Sequence, residues 1–166
     1  MWVPFLLGLI LAAQTPAASI PTGTIVGKVT PAGGLTLSGP AQVVLLPPEY
    51  LEMWNTDVQE RLDNYWERYK PTFIQQKELF AEVEKMAYRD AFEHIVALMR
   101  RDNRTRSADL VRASTADGRF EFKNVPPGRY KILALGRAGN QEMVWADSVD
   151  LGGAVPLYVQ LKKTIP

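Results

Sequence analysis

Cysteine is absent from the 166 residues, and histidine occurs once, at His94. The first absence excludes disulfides, thiol catalysis, cysteine-held zinc and a lipid anchor on cysteine. The second excludes histidine-rich metal sites. No strong charge imbalance is present either: 19 basic and 18 acidic residues leave a formal charge of +1. A nucleic-acid binder would carry a marked basic excess. No G-x-S-x-G elbow surrounds a serine, and no glycine-rich phosphate loop occurs. These absences predict a protein without catalytic residues, cofactor or metal. Asp90 and His94 stand four apart on one helical face with Glu93 adjacent, a spacing that more often marks a solvated surface than a metal site.

No apolar run reaches the ~20 residues of a membrane span. Val3 to Ala13 is an eleven-residue run that suits the apolar core of a secretory signal, and Gln14-Thr-Pro-Ala-Ala-Ser19 supplies small residues for cleavage. Only the terminal amine precedes it as positive charge. Residues 1–19 are therefore expected to direct export to the periplasm or medium, leaving no stable membrane span after cleavage.

Two textures follow. From Ile20 to Leu46, and again from Asp109 to the end, the chain reads as β. Thr24–Thr30, Gln42–Leu46, Asp109–Ser114, Tyr130–Leu135, Asp147–Leu151 and Val155–Leu161 are the expected strands, with one more at Phe120 and Phe122, which alternate with Arg119, Glu121 and Lys123. Asp117-Gly118 supplies the residues of a two-residue hairpin turn. Pro126-Pro127-Gly128 forbids helix and fixes a corner before Tyr130. Seven short strands separated by turns argue for a sandwich.

Glycine is missing between Glu49 and Asp102, and Pro71 is the only proline there. Leu51, Trp54, Val58, Leu62, Tyr65/Trp66 and Tyr69 recur at steps of three and four. So do Phe73, Phe80, Val83, Ala87, Ala91, Ile95 and Met99. Pro71 suits the first turn of a helix, so the bend of an αα-hairpin is placed there. The helices would be ~20 and ~30 residues, ~30 and ~45 Å long. Ala91 to Arg101 would then have no first-helix partner and would lie on the sandwich or on another chain. A hairpin returns the chain near its start, so a sandwich can close around it at small entropic cost. Residues 49–106 hold twelve acids and ten bases, the mark of a solvated amphipathic insert.

The run Thr115-Ala-Asp-Gly-Arg-Phe-Glu-Phe122, then Val125-Pro-Pro-Gly-Arg-Tyr130, together with Gly27-Lys-Val29 and Leu37-Ser-Gly-Pro-Ala-Gln-Val43, resembles the carboxypeptidase regulatory-like domain. The likeness covers the chain outside residues 1–19 and the helical stretch. It implies a seven-stranded β-sandwich of the prealbumin (transthyretin-like) type and a non-catalytic accessory role. Such modules occur beside peptidases, in outer-membrane receptors and in secreted bacterial proteins. The insert departs from that pattern. The expected architecture is mainly β with a helical insertion: sandwich at 20–48 and 107–166, and an αα-hairpin at 49–106 between the second and third strands.

Function is then expected in the insert: protein–protein interaction or assembly in the bacterial envelope, with another envelope protein or a second copy as partner. Tyr65 and Trp66 are adjacent and cannot both enter one narrow seam, so one of them, with Tyr69, is a natural anchor for a partner. Arg100, Arg101, Arg104, Arg106 and Arg112 gather where the hairpin returns. Cations at a helix C-terminus complement its dipole, and the same cluster would suit an anionic partner, with Arg100, Arg101 and Arg104 as candidate contacts. The alternative is a carbohydrate-binding module, with Trp145, expected in a loop at 139–147, as the glycan platform. Asn103-Arg-Thr105 matches a glycosylation sequon and is read as chance.

Overall fold

The computed structural model describes residues 21–165; the expected export signal lies outside the described residues. Chain order is β1 (Gly23–Val29), β2 (Gln42–Leu46), α1 (Pro48–Gln75), α2 (Lys77–Arg101), α3 (Asn103–Ser107), β3 (Val111–Ala113), β4 (Arg119–Val125), β5 (Gly128–Ala138), β6 (Gln141–Leu151) and β7 (Leu157–Leu161). The strands form two sheets, one ordered β4-β1-β7 and one ordered β3-β2-β5-β6. All pairs are antiparallel except β1 with β7, which runs parallel. The result is a β-sandwich with a helical insertion between its second and third strands.

The helices make this a three-layer structure. Val43, Val44, Leu45 and Leu46 are all fully buried, as are Ile132, Leu133 and Ala134. Successive residues of a strand point to opposite faces, so the four-stranded sheet is covered on both sides. Val43, Ala134 and Trp145 share a register, and Trp145 comes close to Gly136 beside Ala41, on the face toward the other sheet. The opposite face, with Val44 and Leu133, carries the base of the hairpin. Tyr50, Trp54 and Val58 of α1 and Ala91, Phe92, Ile95, Val96 and Met99 of α2 belong to one continuous core with both sheets.

Two glycines explain how closely the elements approach. A side chain at Gly27 would begin 2.2 Å from the ring of Phe120, so β1 is flat where that ring crosses it. At Gly118 a Cβ would lie 2.5 Å from the Val29 carbonyl oxygen, and φ is +86°, a value that favours glycine.

Several expectations are corrected. Asp117-Gly118 does not close a hairpin. The turn carries the chain from β3 in one sheet to β4 in the other. Only Gly118 has positive φ; the Thr115 hydroxyl accepts from the Arg119 amide at 2.9 Å and holds the turn. Pro71 sits inside α1, and the bend falls at Gln76, whose φ of −132° and ψ of 84° leave the helix. The helices are therefore 28 and 25 residues long, not ~20 and ~30. Ala91 to Arg101 does lie on the sandwich, but α1 accompanies it. The region 139–147 is not a loop, because β6 starts at Gln141 and pairs with β5 across the two-residue turn Gly139-Asn140, with Gly139 at φ +60°. The corner before Tyr130 is present: its hydroxyl donates to the Pro126 carbonyl at 2.8 Å.

Candidate functional site

Hairpin packing changes character along its length. At the base, Tyr50 near the start of α1 donates its hydroxyl to Asp102, just past α2, at 2.7 Å. Asp102 also caps α3 through the Arg104 amide at 2.9 Å and pairs with the Arg104 guanidinium at 2.9 Å. Those bonds, Arg104 first and Tyr50 second, hold the Asp102 carboxyl well below the usual carboxylate range. This clasp closes the hairpin where it joins the sandwich. Midway, Asp57 meets His94 across the seam at 3.0 Å, and Trp54 leans on Tyr88 with ring centroids 6.3 Å apart.

At the far end the core of the sandwich is left behind. Trp66 stacks on Phe73 at 5.9 Å and meets Phe80 edge-on at 5.5 Å, while Phe73 meets Phe80 at 5.2 Å and Tyr69 at 6.0 Å. These contacts are internal to the hairpin. Phe73 is buried, yet it stands apart from the main core. Around it, Trp66 is 37% exposed, Tyr69 41%, Ile74 65% and Leu79 39%. Four large apolar side chains thus share a small tip with water. Trp66 and Tyr69 are joined through Phe73, and Ile74 and Leu79 lie on either side of the bend.

The residues singled out from the sequence divide between the two ends. Tyr65 and Tyr69 flank the tip cluster and Trp66 belongs to it. Tyr65 is half-buried and reaches Asp90 of α2 at 3.5 Å, while Trp66 meets Phe80 of α2 and keeps part of its ring in water, so both neighbours touch the second helix, contrary to expectation. Arg100 and Arg101 are exposed at the C-terminal end of α2. The twenty residues between Phe80 and Arg100 put them ~30 Å from the tip. Arg104 is engaged with Asp102, Arg106 donates to Asn103 at 2.7 Å, and Arg112 pairs with Asp109 and donates to the Glu121 carbonyl at 2.6 Å. Arg104, Arg106 and Arg112 are therefore engaged locally, Arg100 and Arg101 remain exposed, and the structure does not bring the cluster together with the aromatics.

Trp145 is corrected outright as an exposed residue. It is a buried strand residue with 0% exposure between the sheets, so its ring has no face for a sugar. Asp90 is bound by Arg89 at 2.7 Å, and His94 turns to Asp57 rather than to Asp90. Among the described residues no group of three or more metal-ligating side chains occurs, and no helix is long and apolar enough to cross a membrane. Ile74 and Leu79, exposed on either side of the bend, were missed because the bend was placed at Pro71. Their flanking of a one-residue break was the only signal available.

No protein-family model matches the chain, and no curated protein does. Solved structures do show a likeness. A candidate carbohydrate-binding protein from Pseudomonas aeruginosa is 15% identical with a TM-score of 0.38, covering 87% of this chain and 90% of that one. The pilus backbone protein RrgB of Streptococcus pneumoniae gives 16% and 0.32 over 86% of this chain and 41% of that one. The full-length major pilin RrgB gives 12% and 0.32, over 86% and 31%. The chain spans less than half the length of these pilins.

Proposed function

We propose that this chain is an exported, non-catalytic interaction module of the bacterial envelope, a prealbumin-like sandwich whose hairpin tip docks on another envelope protein or on a second copy. The observation that supports this reading is the exposed group Trp66, Tyr69, Ile74 and Leu79, held on a small aromatic cluster beyond the sandwich. The helix pair is anchored in the core at one end and carries apolar surface clear of the sandwich at the other. Buried aromatic anchors dominate interface energies. The arginines at the base form a second surface that an acidic partner would meet if it extended along the hairpin.

The test places a photo-crosslinking residue at Tyr69 or Ile74 of the full chain in its native cells, with Lys123 on the sandwich as control site. Adducts of defined mass from the tip positions alone, lost in the Trp66→Ser/Leu79→Ser background, are expected. Adducts from Lys123 alone, or none from the tip, would overturn the reading. With Trp145 buried, a glycan module would instead bind oligosaccharides in a manner sensitive to the exposed rings, Trp66 and Tyr69 at the tip or Tyr158 on β7.

A further inference from the structure

A recess lies between α2 and the β5–β6 pair, with a volume of about 380 Å³. Tyr88 of α2 stands over it. Lys131 of β5 and Ser148 of β6 face each other across the strand pair on the helix-covered side of the sheet. Lys163, Thr164 and Ile165, the chain after β7, form the remaining wall. That segment is fixed in register on β6, since the Ala146 amide donates to the Lys163 carbonyl at 3.2 Å and the Ile165 amide to Val144 at 2.8 Å. Backbone pairing therefore sets two lysines in one recess.

Neither ammonium group has a hydrogen bond or ion pair with any described residue. Lys131 is half-buried mid-strand, where a carboxylate opposite would be the ordinary complement; its cross-strand neighbours are Leu46 and Ser148. The one carboxylate at the recess, Asp147, is exposed and accepts from the Ser148 amide at 2.8 Å. Burial first, and the charge of Lys163 second, push the Lys131 pKa below the ordinary lysine value. Snorkelling along an apolar surface accounts for one lysine. It does not account for a second like charge held beside the first by a backbone ladder. Uncompensated local costs of this kind concentrate at functional positions.

We propose that this recess binds a compact oxyanion, a carboxylate or a phosphate group on a small ligand, between Lys131 and Lys163. The bound anion supplies the missing counter-charge through charge-assisted hydrogen bonds, which are stronger than neutral ones. Ser148 and Thr164 offer hydroxyl donors in the same recess, and Ala146 and Ile165 offer apolar surface to the rest of the ligand. This site is separate from the hairpin tip, so its failure would leave the docking reading untouched.

The test is an NMR titration of the full chain at neutral pH with inorganic phosphate and, separately, with glucuronate. Signals of Lys131, Lys163, Ser148 and Thr164 are followed in the wild type, Lys131→Met and Lys163→Met. Saturable shifts at these four residues are expected, with affinity falling at least about tenfold in each variant, and the stronger probe identifies phosphate or carboxylate as the preferred group. The Lys131 pKa should rise on saturation. No saturable shift with either probe, or affinity unchanged in Lys163→Met, would overturn the proposal. Lys163 is exposed, so that variant decides the matter even if Lys131→Met folds poorly.

Discussion

The two halves of the helical hairpin follow one spacing rule and reach different ends. In the proximal half, Trp54, Phe92, Ile95 and Met99 at three- and four-residue steps meet a sheet and join its core. In the distal half, Trp66, Tyr69, Phe73 and Phe80 pack within the hairpin, and Ile74 and Leu79 meet water. Periodicity fixes which face of a helix is apolar. What covers that face is decided by how far the sheet extends beneath it. The proximal half is thus part of the domain's core, and the distal half carries apolar surface that the sandwich does not cover.

The sharpest way to break this comparison is Phe92→Ala, which removes a fully buried ring between hairpin and sandwich. Unfolding free energy should fall by about 3–5 kcal/mol in a denaturant titration. Phe73→Ala removes a ring almost as buried, at 3% exposure, and should cost less, about 1–2 kcal/mol. Its loss is capped by the free energy that holds the tip closed. Equal losses would make the tip one cooperative unit with the core. Tyr50→Phe removes the hydroxyl that ties α1 to Asp102 and should cost about 1 kcal/mol, read as a lower melting temperature.

Acid acts on the same clasp. The folded-state pKa of Asp102 is depressed, so its contribution is complete above the ordinary carboxylate value near 4 and is lost as pH falls through the lowered value. The stability gap between wild type and Asp102→Asn should therefore be constant at neutral pH and close below about pH 4. Asp117, also lowered by its bond from Thr115, adds loss of the same sign to both proteins and cancels in the difference. Smallest of all is Ile74→Ser. At 65% exposure it should shift stability by no more than about 0.5 kcal/mol while weakening any docking at the tip.

Much of the fold was legible. The glycine-free stretch announced the insert, and Phe120, Phe122 and the Pro126-Pro127-Gly128 corner announced β4 and β5. The third layer could have been read from Val43-Val44-Leu45-Leu46, an unbroken apolar run that suits a strand buried on both faces. β6 was only half visible, because Gln141-Glu142 and Asp147-Ser148 are polar where the strand's exposed positions fall. Its Trp145 looked like a loop residue until register with Ala134 placed it between the sheets. The bend was misplaced because a proline in the last turns of a helix and one at the start of the next obey the same local rule. Of the candidate site residues, Trp66 and Tyr69 stand out in the sequence by their spacing, and the structure adds their partial exposure near the bend. Arg104 was singled out for its charge, which the fold uses for Asp102. Lys131 and Lys163 could not be paired from sequence, since only the return of the tail onto β6 brings them together.

Hydrogen–deuterium exchange across the hairpin of the full chain, read residue by residue under native conditions, tests the central division most directly. Amides of residues 91–99 should exchange only through global unfolding, as slowly as those of β2 and β5. Those from 66 to 80 should exchange faster, through local opening. A hairpin protected uniformly along its length, or one whose base opens independently of the sheet, would contradict the account.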